Sequence, residues 1–110
     1  MAFEIVLAPA AATALKNWSV PIRTGVTKAL EVHLTHEPRK VSQSRIKRLR
    51  GLRQPQYRLR VGDIRVFYDV TETEVQVLAI VTKAEAQSWL DQEGTPAQGP
   101  EGSGTGGGKG

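Results

Sequence analysis

Three arginines flank a single glycine–aspartate pair in the run Tyr57-Arg58-Leu59-Arg60-Val61-Gly62-Asp63-Ile64-Arg65-Val66-Phe67-Tyr68. A guanidinium is permanently charged and presents a fork of N–H donors that matches the oxygens of a phosphate, but it is a poor proton acceptor at neutral pH. Such residues bind and stabilise anions. Gly at the first central position suits a two-residue type II′ hairpin turn, which predicts that the chain reverses at Gly62-Asp63. Val61 then faces Ile64, Arg60 faces Arg65, Leu59 faces Val66 and Arg58 faces Phe67. Strand alternation sends the apolar set one way and Arg58, Arg60 and Arg65 the other. Like charges directly opposite cost ~0.2–1 kcal/mol. Asp69 lies on the same face, further along. An anion resting on the arginines accounts for a hairpin that keeps them together.

The wider charge pattern agrees. The chain has 110 residues, a formal net charge of +4 and no Cys. Ten of its 15 basic residues lie between Arg39 and Arg65, where Asp63 is the only acid, so this window carries +9 and the remainder −5. Lys47, Arg48, Arg50 and Arg53 precede the hairpin, and this density suits a polyanion, most commonly nucleic acid. The absence of Cys excludes disulfides, thiol catalysis and Cys-based zinc sites. His33 and His36 have only Glu37 nearby, too few ligands for a metal, and read as a half-exposed helical pair. No Walker motif, G-x-S-x-G, zinc-finger spacing or aromatic ribonucleoprotein motif occurs. Neither a cofactor nor a metal is expected.

The elements that must position the arginines follow from periodicity. Phe3, Ile5 and Leu7 alternate and predict a first strand. Pro9 suits the first turn of a helix running to Trp18, with Ala11, Leu15 and Trp18 on one face. Ile22, Val26, Leu30 and Leu34 recur every four residues and predict a second, amphipathic helix from Pro21 to about His36. His36 to about Ile46 reads as a loop. Strands are expected over Gln56–Val61, from Ile64 to Val70 and over Val75–Val81. Thr82 and Glu85 have capping-box spacing for a last helix, Lys83 to about Glu93, which Gly94 ends. Trp89 and Leu90 are expected to pack that helix onto the sheet. Phe67, Leu78 and Ile80 are expected on the arginine face, where a partner segment would dock. The fold class is α+β in the order β-α-α-β-β-β-α, a helical hairpin on one face of a mostly antiparallel sheet.

Residues 1–93 are expected to form the domain and 94–110, which hold eight of the 11 Gly, a disordered tail. The apolar runs are far shorter than the ~20 residues of a membrane-spanning helix. The N-terminus lacks a basic signal-peptide region. A soluble, cytoplasmic protein is the expectation.

Leu49-Arg50-Gly51-Leu52, followed by the Tyr57–Tyr68 run, resembles the signature of the RelE/ParE superfamily of toxins. Pro9, Ala10, Leu15 and Trp18 are similar to that family's first helix, and the resemblance extends over about Phe3 to Leu90. It implies the toxin of a bacterial type II toxin–antitoxin system, bound in a hetero-oligomer by a small antitoxin that wraps it. RelE-like members cut mRNA in the ribosome without a metal, through attack of the 2′-hydroxyl on the adjacent phosphate. The resemblance would make Arg58, Arg60 and Arg65 the catalytic phosphate-stabilising residues. Lys47, Arg48, Arg50, Arg53 and Lys83 would grip RNA of the message or the ribosome. Such nucleases often carry lysines where Arg58 and Arg60 stand. They also carry an arginine and a tyrosine or histidine near Ala84 and Leu90. These departures keep two alternatives open: a ParE-like inhibitor of DNA gyrase, and a degenerate member that only binds antitoxin or nucleic acid.

Overall fold

The computed structural model describes residues 2–97. In chain order it contains β1 (Glu4–Leu7), α1 (Pro9–Asn17), α2 (Val20–Leu34), β2 (Ile46–Arg48), β3 (Leu52–Gln54), β4 (Tyr57–Val61), β5 (Ile64–Val70), β6 (Glu74–Thr82), α3 (Lys83–Glu93) and β7 (Thr95–Pro96). Five strands form one sheet in the order β1-β6-β5-β4-β2. β1 runs parallel to β6, and every other neighbouring pair in this sheet is antiparallel. This is the α+β architecture expected, with β2, β3 and β7 added to it. Among the described residues no helix is long and apolar enough to cross a membrane.

The helical hairpin α1–α2 covers one face. Ala11, Leu15, Val26, Leu30 and Leu34 meet Tyr57, Leu59, Val66, Tyr68, Val75, Val77 and Ile80 in one core, with Trp18 packed at its margin. Tyr57 and Tyr68 stack at 5.5 Å. The Tyr68 hydroxyl donates to the Pro38 carbonyl at 2.7 Å, which ties the loop after α2 to the core. Burial pushes its ionisation well above the ordinary tyrosine value, so it stays a donor. Ile22, expected on the apolar stripe, is 45% exposed and Val20 is 60% exposed, so the first turn of α2 stays outside the core.

α3 crosses the opposite face. The Thr82–Glu85 capping box forms as expected, with the Glu85 N–H donating to Thr82 Oγ1 and the Thr82 N–H to Glu85 Oε1. The Trp89 ring lies on Phe67 at 5.0 Å and 6°. Gly94 does end the helix, but its φ of −69° is ordinary for any residue. Its role is a close approach: a Cβ there would sit 2.6 Å from the Leu90 carbonyl oxygen and 3.2 Å from Leu52 Cδ2. The chain therefore runs on as β7 against β3, with the Ala97 N–H bonded to Gly51 O at 3.0 Å. Thr95–Ala97 of the expected tail are thus described with the sheet, and the rest of it, 98–110, lies outside the described residues.

Candidate functional site

The β4–β5 hairpin turns at Gly62-Asp63, where Gly62 adopts a φ of +58° that side chains rarely reach. Its register is Arg58 opposite Phe67, Leu59 opposite Val66, Arg60 opposite Arg65 and Val61 opposite Ile64, as expected. β2 continues the pattern, with Lys47 opposite Arg58. The Arg60 N–H donates to the Arg45 carbonyl at 2.8 Å, so Arg45 joins the row just beyond the end of β2. Adjacent strands lie ~4.8 Å apart. Arg45, Arg60 and Arg65 thus form one row across the sheet, and Lys47 and Arg58 the next.

The arginines differ in surroundings. Arg65 is 9% exposed, and its Nη1 donates to the Gly62 and Ile64 carbonyls at 2.8 and 3.1 Å. It braces the turn from beneath. Arg60 is exposed. Arg58 lies in the next row, half-buried, with a single long bond from Nη2 to Ser44 O at 3.4 Å. Its Nε is buried without a partner. Burial, then Arg65, then Arg60 all disfavour its charged form. A guanidinium does not release its proton under such pressure, so the unfavourable energy stays in the fold.

No acid relieves it. Asp69 is buried, and its carboxylate accepts from Gln54 Nε2 at 2.7 Å and from the Gln56 N–H at 2.8 Å, anchoring the β3–β4 corner. Among the described residues the only ion pair is Lys40–Glu37, at 3.7 Å. Arg60→Gln is therefore expected to raise the melting temperature slightly, by the ~0.2–1 kcal/mol of a relieved like-charge pair, and to reduce the gain in stability on adding salt. Thermal melts at low and high ionic strength check this.

The other expected site residues divide. Lys47 belongs to the arginine face. Arg48 does not: it pairs with Tyr57, its guanidinium lies over that ring at 5.2 Å, and it donates to Gln56 O on the helical-hairpin side. Strand alternation sends neighbouring residues to opposite faces. Arg50 and Arg53 are exposed in the β2–β3 connection and β3. Lys83 opens α3 beside the hairpin turn, its N–H donating to Asp63 O at 2.7 Å. It lines an open cleft of about 620 Å³ with Asp63, Thr82 and Ala84.

The expected partner-docking trio is corrected. Ile80 pairs with Val66 and is 2% exposed in the core under the helical hairpin. The pairing steps from Phe67–Ala79 to Tyr68–Val77, which leaves Leu78 as an extra residue. That bulge reverses the alternation of β6, so Ala79 and Val81 take the arginine face in place of Ile80. Phe67 does lie on that face, but α3 covers it to 1% exposure. Arg45 was missed because it precedes a strand that has no apolar alternation. Among the described residues no three His, Asp or Glu side chains gather as a metal site.

A helical hairpin on one face of a five-stranded sheet and a helix across the other make a RelE-like fold. Solved structures that share it include three toxin–antitoxin complexes. The toxin–antitoxin complex RelBE2 from Mycobacterium tuberculosis matches at TM-score 0.59 and 21% identity, over 74% of this chain and 99% of that one. The RelE–RelB complex from Pyrococcus horikoshii gives 0.55 and 18%, over 76% of this chain and 97% of that one. The RelB–RelE complex from Methanococcus jannaschii gives 0.58 and 18%, over 76% and 96%. Compared by sequence, the chain matches no protein-family model and no curated protein.

Proposed function

We propose that this chain is the toxin of a type II toxin–antitoxin pair and a ribosome-dependent mRNA endonuclease. One observation carries the reading: Arg58, with a buried and unpartnered Nε, shares one face of a RelE-like sheet with Arg60 and Arg65. The group that satisfies such a site is a phosphate, and binding a small antitoxin accords with the toxin–antitoxin complexes that share the fold. Cytoplasmic action follows from a ribosomal target.

In the proposed reaction the message's 2′-hydroxyl gives its proton to water as its oxygen bonds to the adjacent phosphorus, and the bond to the 5′-oxygen breaks, leaving a 2′,3′-cyclic phosphate. Arg58 and Arg60 balance the charge that grows on the phosphorane oxygens, and Arg65 holds the turn that aims them. An arginine does not deliver the proton the leaving oxygen needs. Lys47, opposite Arg58, is the residue of that face suited to it. Lys47→Arg is expected to keep RNA affinity and lower the cleavage rate by ~10²–10⁴, the usual worth of a general acid. Single-turnover cleavage of mRNA on purified ribosomes, beside an RNA-binding isotherm, measures both.

A second reading, a ParE-like inhibitor of DNA gyrase, is favoured by Ala84 and Leu90 standing where the nucleases carry polar side chains. Supercoiling by gyrase in the presence of the purified chain separates the two: inhibition without mRNA cleavage supports the second.

A further inference from the structure

At the sheet edge where the arginine row ends, a cavity of about 220 Å³ opens between the end of α2 and the start of β2. Val32, His33, His36, Glu37, Lys40, Ser42, Arg45 and Ile46 line it. We propose that this cavity is a second oxyanion site, built for a tetrahedral group such as sulfate or phosphate. The charged and titratable groups facing it are His33 from α2, His36, Glu37 and Lys40 from the chain that follows, and Arg45 from the approach to β2. Glu37 is the one acid among them, and Lys40 already engages it at 3.7 Å. Ser42 Oγ accepts the N–H groups of Arg45 and Ile46 at 3.0 and 3.1 Å, so its own proton is left to donate. A guanidinium, an ammonium, a hydroxyl donor and two imidazoles thus border one space, an arrangement that repels a cation and suits an oxyanion.

His33 reports the same field: burial and then the Arg45 charge hold its proton affinity below the ordinary histidine value. An oxyanion beside it reverses that pressure. Anion binding and protonation of His33 are therefore linked, and the anion binds more tightly as pH falls. The site does not depend on what the arginine face binds. Arg45 alone belongs to both, placing the cavity where the arginine row reaches the sheet edge.

The test is an NMR titration of the His33 imidazole in the full chain, with sodium sulfate as probe because its charge is constant over the range used. Saturating sulfate is expected to raise the His33 pKa by about one unit, equivalent to ~tenfold tighter sulfate binding once His33 is protonated. Arg45→Gln is expected to raise the sulfate-free pKa and to abolish the sulfate response. Lys40→Gln, on an exposed side chain, is expected to weaken that response. A short single-stranded RNA producing the same shift assigns the site to a nucleic-acid phosphate, and a response to sulfate alone assigns it to a free oxyanion. A His33 titration unmoved by sulfate, or a response that survives both substitutions, overturns the proposal.

Discussion

Replacing Arg58 and Arg60 together by alanine is expected to lower ribosome-dependent mRNA cleavage by ~10³-fold or more while leaving the protein at least as stable. Removing one donor to a developing oxyanion typically costs ~10²–10³ in rate. Two donors on one phosphate do not act independently, so the pair loses less than the product. The stability half of the expectation separates a functional cluster from a structural one. Arg58 contributes a buried, unpartnered Nε and repulsion from both neighbours to the folded state. Arg60 contributes an exposed like charge opposite Arg65. Relief of these terms offsets the packing that Arg58 loses with its aliphatic stem. The double variant should also bind single-stranded RNA with a salt slope shallower by ~1.4, about 0.7 for each phosphate no longer neutralised. Binding isotherms across a salt series, with thermal melts of the same samples, report both halves.

Phe67→Ala is expected to destabilise the fold by ~3–5 kcal/mol, the range for truncating a buried aromatic. Phe67 is 1% exposed although it lies on the arginine face, outside the core beneath the helical hairpin. Its burial comes from α3, whose Trp89 stacks on it at 5.0 Å. Trp89→Ala, at a half-buried position, should cost less. The double-mutant cycle should return a coupling of ~0.5–1.5 kcal/mol, the usual worth of an aromatic pair beyond its buried area. Chemical denaturation of the four proteins measures it. Additive effects would mean that α3 does not rest on Phe67 in solution, and the arginine face would then be far more open.

The hairpin and its arginines were legible because alternation and a glycine turn are both short-range signals. From Gly62 outward, every pair from Arg58–Phe67 to Val61–Ile64 follows by counting residues. Counting failed at Leu78, where a bulge turned Ile80 into the core; nothing in a run of Val, Leu, Ala and Ile marks which residue will be extra. β2 was hidden for a different reason. Ile46-Lys47-Arg48 is an edge strand, and edge strands carry charge that blocks further pairing, so they lack the apolar alternation that announces a strand. Without β2, neither the place of Arg45 beside Arg60 nor the departure of Arg48 to the other face was visible. β7 is Thr95-Pro96 in a Gly-rich sequence, and proline is tolerated only where its missing N–H faces no partner. The occupation of Asp69 by Gln54 and Gln56 is likewise a tertiary fact, and it is what leaves the arginines without a counter-charge.

Whether the arginine face acts on messenger RNA is decided by mapping 5′ ends across the transcriptome after induced expression of the chain without a partner. The Arg58→Ala, Arg60→Ala double variant is run alongside. Growth arrest, new ends within translated reading frames, and loss of both in the double variant are the expected results. Arrest with intact messages, or new ends equally abundant in the double variant, would contradict an action of these arginines on the message.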